Sequence, residues 1–159
     1  MAHENKISGS YSFLDVTCTI TGPNISADLS NPGYSGEGIT ITMLEEKDTM
    51  TIGAGGAGMH ALRGSKAGRI RLSLLKTGPG NAMLNQAYNL DSISAANWGQ
   101  NQITINNPFT GDNTTCLFCA FVKEPDLVYN EAGGVMVWEF NSTNIDRITG
   151  NVFQPTNIL

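Results

Sequence analysis

The chain has 159 residues, a length typical of a single domain that buries about two-thirds of its unfolded surface. Charged residues make up only 14%, and the formal net charge of −5 provides no overall basic field for binding nucleic acid or anionic lipid. The first residues lack the apolar segment of a secretory signal and no run approaches the ~20 apolar residues of a membrane span, so we expect no membrane anchor.

Short stretches of alternating apolar and polar residues predict β-strands along most of the chain. Val16, Cys18 and Ile20 alternate with threonines, and the same two-residue period recurs downstream. The later stretches are residues 25–29, 39–44, 49–52, 70–75, 101–107, 114–122 and 135–140. Turn-forming residues separate several of them. The pattern predicts a mainly β fold.

Residues 81–90 have helical rather than strand periodicity. Met83, Ala87 and Leu90 recur at helical spacing, and few β-branched residues interrupt the segment. Asn81 is placed to cap its start. A single helix beside many strands predicts an α+β chain dominated by β-structure.

Glycine is concentrated between Gly53 and Gly68. This composition predicts either a long mobile loop or a bent hairpin. Because ordering such a segment costs conformational entropy, we expect a contact outside the monomer to hold it in place.

The start of this segment, residues 53–58, fits the G-x-G-x-x-G pattern of dinucleotide sites. Such a site also needs a helix that opens at the third glycine and an acidic residue about 20 positions later. Gly64 and Gly68 interrupt any helix there, and no Asp or Glu occurs between Asp48 and Asp91. The match is therefore a decoy, and we expect no cofactor.

Histidines and cysteines form no catalytic or metal-binding pattern. His60 has no acid or nucleophile pattern around it, and His3 lies at the start of the chain. Cys116 and Cys119 form a C-x-x-C inside a predicted strand, where an odd separation places side chains on opposite faces. No second ligand pair completes a zinc site. We expect structural thiols, no metal and no enzymatic activity.

Charge is distributed unevenly along the chain. An acidic cluster, Glu45, Glu46 and Asp48, precedes a stretch with five basic and no acidic residues. No Phe, Tyr or Trp lies between Tyr34 and Tyr88, so the basic residues have no aromatic neighbours in sequence for stacking single-stranded nucleic acid. Two pairings of Arg69 and Arg71 are open. In the first, they pair across strands with the two glutamates of the cluster in the same chain. In the second, they pair with acidic groups of another copy, and these pairs would fix the register of a head-to-tail assembly. The candidate charge-pair residues are Glu45, Glu46, Asp48, Arg63, Lys66, Arg69 and Arg71.

Five stretches together resemble one phage family: residues 11–16, 38–60, 74–77, 95–101 and 121–140. In order and spacing they are similar to phage structural proteins regarded as tail tube subunits of contractile-tailed phages. The resemblance implies an orthogonally packed β-sandwich or partial barrel with one flanking helix, which completes a β-barrel ring on oligomerisation. It also implies a virion protein rather than an enzyme.

The same resemblance implies partners and a location. Copies of the chain would form hexameric rings stacked into a hollow tube, assembled in the host bacterial cytoplasm. The tube would contact the sheath, tape-measure, baseplate and tail-terminator proteins, and DNA would pass through without specific binding, as an acidic wall favours. The alternative within this class is the tube of a pyocin or of type VI secretion. Outside it, a carbohydrate-binding β-sandwich with Trp98 at a glycan site and a hydrolase with paired carboxylates remain open.

Under this resemblance the chain is one tail tube domain, residues 1–159, with an N-terminal arm at 1–10 and a C-terminal tail at 151–159. The Gly-rich loop at 53–68 is the best candidate for a segment ordered by an adjacent subunit. The candidate inter-subunit residues are Met50, Ile52, Met59, His60 and Leu62.

Overall fold

The computed structural model describes residues 6–29, 34–150 and 153–156. The strands in these ranges are β1 (Lys6–Gly9), β2 (Thr17–Gly22), β3 (Ile25–Asp28), β4 (Tyr34–Met43), β5 (Asp48–Ile52), β6 (Gly58–Leu62), β7 (Gly68–Leu75), β8 (Asn101–Asn107), β9 (Asp112–Phe121), β10 (Val135–Ile148) and β11 (Phe153–Thr156). A 3-10 turn, Phe13–Asp15, precedes β2, and one α-helix, α1 (Pro79–Asp91), lies between β7 and β8.

A seven-stranded antiparallel sheet dominates the fold, in the order β3-β2-β8-β9-β10-β7-β4. Two small two-stranded sheets accompany it, one from β5 and β6 and one from β1 and β11. The large sheet has β3 and β4 as its two edges, so the described part of the monomer contains no closed barrel. The predicted mainly β fold with one flanking helix is confirmed.

Residues 1–10 were predicted to form an N-terminal arm and residues 151–159 a C-terminal tail. Residues 1–5, 151–152 and 157–159 of these segments lie outside the described residues. The described remainder pairs with itself, because β1 runs antiparallel to β11.

The core lies on one face of the large sheet, under α1. Strand alternation places Ile70 and Leu72 on that face, and the register sets Phe140 and Trp138 opposite them on β10. Phe121 of β9 packs on both aromatic side chains, with ring centroids 4.7 Å from Phe140 and 5.9 Å from Trp138. Aromatic side chains bury a large apolar area, so this cluster provides much of the driving force for folding.

Helix α1 begins differently from the prediction. Pro79 occupies its first turn, where the missing N–H costs nothing, and Gly78 is the N-cap without a side-chain hydrogen bond. Asn81 is therefore not the cap, and that prediction is wrong. Its Nδ2 donates to the carbonyl of Leu75 at 2.7 Å, and its Oδ1 accepts from Nε1 of Trp138 at 3.0 Å. The residue fastens the helix to the end of β7 and to the core.

Of the three apolar residues that recur at helical spacing, only Ala87 is buried on α1. Met83 and Leu90 are exposed, and two polar residues, Asn81 and Asp91, are buried with Leu84 and Ala87. Asp91 accepts hydrogen bonds from the side-chain amides of Asn24, at 2.6 Å, and Asn101, at 3.1 Å. These bonds compensate the carboxylate for its lost hydration and tie the end of the helix to β8 and to the β2–β3 turn.

A β-bulge in β9 changes the geometry of the C-x-x-C pair. Phe118 has a positive φ of 53°, and the register with β8 shifts there, with Cys119 opposite Asn101 and Cys116 opposite Ile103. The extra residue brings Cys116 and Cys119 to the same buried face, so the prediction of opposite faces is wrong. Neither thiol is in a disulfide, and both are fully buried, as is the thiol of Cys18.

The buried thiols predict a loss of stability at alkaline pH. Burial raises the pKa of Cys116 from its usual 9.0 to about 12 and that of Cys119 to about 11. Above pH 9 only the unfolded thiols ionise, so the free energy of unfolding falls as pH rises towards the folded pKa values, by up to about 1.4 kcal/mol per pH unit for each thiol. Urea denaturation at about pH 7 and about pH 10.5 measures this fall. The double variant Cys116→Ala/Cys119→Ala should show a smaller one, and equal falls would contradict the assignment.

Candidate assembly surface

A hairpin projects from one end of the large sheet. We call residues 44–67, which contain β5 and β6, the arm. This segment is distinct from the N-terminal arm predicted at residues 1–10. The arm continues the pairing of β4 with β7 beyond Met43 and Gly68, through a hydrogen bond from the backbone N–H of Leu44 to the carbonyl of Ala67 at 3.1 Å. The Gly-rich segment provides the turn and the second strand of this hairpin, so of its two predicted forms the bent hairpin is the one observed.

The turn of the arm needs glycine. Gly56 has a φ of 87°, in the left-handed region that residues with a Cβ avoid, and the N–H of Gly53 closes the turn on the carbonyl of Ala57 at 2.8 Å. The third glycine of the G-x-G-x-x-G match, Gly58, opens strand β6 and not a helix. The decoy interpretation of this motif is confirmed.

Both faces of the arm are exposed. All ten residues of β5 and β6 are exposed, including the apolar side chains Met50, Ile52, Met59 and Leu62 at 57–84%. A two-stranded hairpin without a covering layer is marginally stable in water. Contiguous exposed apolar side chains mark interaction surfaces.

The register of the hairpin sorts the five predicted inter-subunit residues onto two faces. Met50 lies opposite His60, and Asp48 opposite Leu62. Residues that are direct partners or two apart on a strand share a face. One face therefore carries Met50, Ile52, His60 and Leu62, and the other carries Met59.

Polar contacts connect the two strands of the arm. Nδ1 of His60 lies 2.9 Å from Oδ2 of Asp48, and Nε of Arg63 donates to Oγ1 of Thr49 at 3.0 Å. The backbone N–H of Arg63 donates to the carbonyl of Lys47 at 2.9 Å. These groups are exposed, so each contact contributes little to stability and the arm depends on its backbone pairing.

Arg69 and Arg71 lie on the face of the large sheet opposite the core. On β4 their cross-strand neighbours are threonines, and on β10 Nε of Arg69 donates to Oδ1 of Asn141 at 3.2 Å while Nε of Arg71 lies 3.8 Å from Glu139. Of the two alternatives for these arginines, pairing with the glutamates of the acidic cluster within one chain is therefore wrong, and pairing with another copy stays a prediction. Glu45 and Glu46 are exposed at the base of the arm.

Lys66 anchors the base of the arm to β10. Its Nζ lies 2.7 Å from Oδ1 of Asp146, and this contact holds the pKa of that carboxyl below its usual range. The backbone of Lys66 also forms a parallel bridge with Asn144, and its carbonyl accepts from the N–H of Ile145 at 3.0 Å. The arm therefore leaves the sheet in a defined direction.

Over the described ranges, no helix combines the length and apolarity needed to cross a bilayer. Within the same ranges, no three His, Cys, Asp or Glu side chains are grouped so that they could hold a metal ion.

A model of the family described as bacteriophage PhiTE tail tube protein matches residues 8–150. The chain belongs to this tail tube family. The match covers the large sheet, α1 and the arm, so the family assignment applies to the fold as a whole and not to one motif. The protein is a structural protein of the tail tube type.

A solved structure shares the fold of this tail tube family member. The protein is similar to a chain in the cryo-electron microscopy structure of the anti-feeding prophage cap, the tube terminating cap, with a TM-score of 0.55 and 16% identity over 93% of this chain and 97% of that chain. A chain of the six-fold symmetrised anti-feeding prophage baseplate gives a TM-score of 0.46 and 10% identity over 84% of this chain and 91% of that chain. None of the curated proteins matches the sequence.

The tail tube chain exposes a second apolar surface that sequence reasoning did not single out. Leu127, Val128 and Tyr129 are 56%, 56% and 80% exposed in the irregular segment between β9 and β10. The sequence signal was a run of three large apolar residues after Pro125 without helical or strand periodicity. Such a run predicts neither element, and its exposure becomes visible only in the fold.

Proposed function

We propose that this protein is the subunit of a hollow phage tail tube, built from stacked hexameric rings, through which the genome is ejected. The arm carries the proposal, because ten strand residues exposed on both faces form a surface that another molecule must cover. Membership of the tail tube family supports a further copy of the same chain as that molecule. The candidate inter-subunit residues Met50, Ile52, Met59, His60 and Leu62 then lie in a contact between copies.

Ring closure follows from the two sheet edges. Among the described residues, β3 and β4 are the edge strands of the large sheet, each paired with a neighbouring strand on one side. Open edges invite pairing with other chains, and closing a sheet into a barrel removes them. In the proposed ring, the large sheets of neighbouring copies meet at these edges and complete a continuous barrel.

The proposal includes the surroundings of the tube. The sheath protein lies outside it, the tape-measure protein inside it before infection, and baseplate and tail-terminator proteins at its ends, in a virion assembled in the host cytoplasm. A net charge of −5 per copy supports a conduit that phosphate does not bind, so that DNA passes without specific contacts.

A second candidate is the tube of a pyocin or a type VI secretion machine. The fold shared with the tube terminating cap chain fits this candidate as well as it fits a phage tail. The two candidates predict the same protein architecture and differ in what the tube transports. The genes beside the coding sequence distinguish them, because only a phage carries capsid and packaging genes with its tail.

Electron microscopy of purified, untagged protein tests the proposed function. We expect negative-stain images at high protein concentration to show rings with six-fold symmetry and hollow tubes. A protein that stays strictly monomeric under these conditions would overturn the proposal.

A further inference from the structure

One face of the arm carries a titratable pair among apolar side chains. The hairpin register places Asp48, Met50, Ile52, His60 and Leu62 on this face, which we call the mixed face. Its three apolar side chains are 57–84% exposed. Nδ1 of His60 lies 2.9 Å from Oδ2 of Asp48, and these two side chains are 70% and 52% exposed. The mixed face therefore combines an apolar surface with two groups whose summed charge depends on pH.

Within the described residues, Asp48 is the charged partner that faces the imidazole of His60. β5 is the strand paired with β6, and the exposure of both strands shows that no other described element packs on the mixed face. The remaining charged residues of the arm lie at its base or on its other face: Glu45, Glu46, Lys47, Arg63 and Lys66. The pair can therefore respond to pH without compensation from a second titratable group.

The charge of the pair depends on the imidazole. Between about pH 5 and 8, imidazole is the side chain that ordinarily changes charge, whereas carboxyl groups are ordinarily ionised throughout this range. A protonated imidazole gives an ion pair without net charge. A neutral imidazole leaves one hydrogen bond, and the pair then carries the full negative charge of the carboxylate. While both groups are hydrated the difference is small, because exposed ion pairs contribute little to stability.

Covering the mixed face changes this balance. A molecule that covers Met50, Ile52 and Leu62 also removes water from His60 and Asp48, which share their face. Burying a carboxylate whose partner is a neutral hydrogen-bond donor is more costly than burying a pair whose charges cancel. Protonation of His60 therefore favours the covered arm over the free arm.

We propose that the His60–Asp48 pair makes assembly through the arm sensitive to pH, so that copies associate more tightly when His60 is protonated. The inference rests on the proposed function, because it takes the covering molecule to be another copy, and it adds a regulation of that contact. Covering the arm takes up protons, so the added stability is fully present below the ordinary imidazole range and is lost as pH rises through it. It is also lost below about pH 4, where an aspartate carboxyl ordinarily takes up a proton.

The critical concentration for tube formation at two pH values tests this switch. Tubes of purified protein are pelleted at about pH 5.5 and about pH 8 at one ionic strength, and the protein left in the supernatant is measured. We expect the critical concentration of the wild type to be at least about fivefold lower at the acidic pH, because a paired charge is covered there instead of an unpaired one. Circular dichroism at both pH values checks that the chain stays folded.

Substitutions of the two partners have different expected results. His60→Gln keeps a hydrogen-bond donor for Asp48 but cannot take up a proton, so its critical concentration should be nearly the same at both pH values. Asp48→Asn should reverse the dependence, because a protonated imidazole would then be covered without a counter-charge. His3→Gln, at the other histidine of the sequence, is the matched control and should keep the wild-type ratio.

Two results would overturn the switch and leave the tube function standing. One is a wild type with equal critical concentrations at both pH values, and the other is a His60→Gln variant that keeps the wild-type ratio. Absence of tubes from the wild type at both pH values would instead overturn the tube function, and the switch with it.

Discussion

Replacing Met59 by Asp should prevent the chain from forming tubes while leaving its monomer folded. Met59 is 61% exposed on the arm, and its side chain has no part in the core, so we expect the free energy of unfolding to change by less than about 0.5 kcal/mol. In the proposed contact the new carboxylate would be buried without a partner, which costs several kcal/mol in every repeat of the stack. Sedimentation velocity and electron microscopy measure assembly, and circular dichroism measures the fold.

Position 59 is preferable to the other exposed apolar position of strand β6. Leu62 lies opposite Asp48, so a carboxylate there would repel a like charge within the arm itself. Met59 lies opposite Thr51, where Asp meets no charge. Met83→Asp, at an exposed methionine on α1, is the matched control and should still assemble. A Met59→Asp variant that builds normal tubes would remove this face of the arm from the interface.

Replacing Trp138 by Ala should have the largest effect on stability. Trp138 is fully buried, packs on Phe121 and donates to Oδ1 of Asn81. Removing the side chain leaves a cavity that costs about 3–5 kcal/mol, and Asn81 loses a buried hydrogen bond worth about 1–3 kcal/mol more. A domain of this size has only about 5–15 kcal/mol of stability, so we expect the variant to be partly or wholly unfolded at room temperature. Urea denaturation followed by circular dichroism measures the loss.

Trp98 provides the matched control for this substitution. It is 38% exposed and contacts Tyr88 edge to face, with ring centroids 6.2 Å apart. We expect Trp98→Ala to lower the free energy of unfolding by about 1 kcal/mol, which is the contribution of one aromatic contact at a partly exposed site. Trp138→Phe keeps most of the packing but loses the hydrogen bond, so its cost should lie between the two. Equal costs at positions 98 and 138 would contradict the assignment of Trp138 to the core.

Period-two alternation predicted the strands that have one buried face. β2, β7 and β8 lie where the pattern placed them, because a strand with a core side and a solvent side must alternate in sequence. β6 was not among the predicted strands, because its sequence does not alternate, whereas β5, which is equally exposed on both faces, alternates Thr with Met and Ile and was predicted. The second half of β10, residues 141–148, was missed because Asn and Ser interrupt the apolar pattern before Ile145.

The errors at the N-cap of α1, at its buried face and at the two cysteines have one cause. Polar or irregular positions do not contribute to the hydrophobic periodicity from which the elements were predicted. Asn81 and Asp91 are buried on α1 because they have specific hydrogen-bond partners, and a hydrophobic pattern does not register such partners. The bulge at Phe118 brings the two cysteines onto one face, and nothing in the local sequence indicates a bulge. For the candidate site, glycine content located the arm, but only the register of the hairpin shows which side chains share a face.

The arm projects from one end of the large sheet only, so in any column of copies that stack through it every arm points the same way. One terminus of such a column presents arms that have nothing to bind, and the other presents the surface that accepts an arm. Initiation and arrest of growth then require two differently shaped proteins, one that offers an arm and one that accepts it. Column length can therefore be controlled at one terminus without affecting the other.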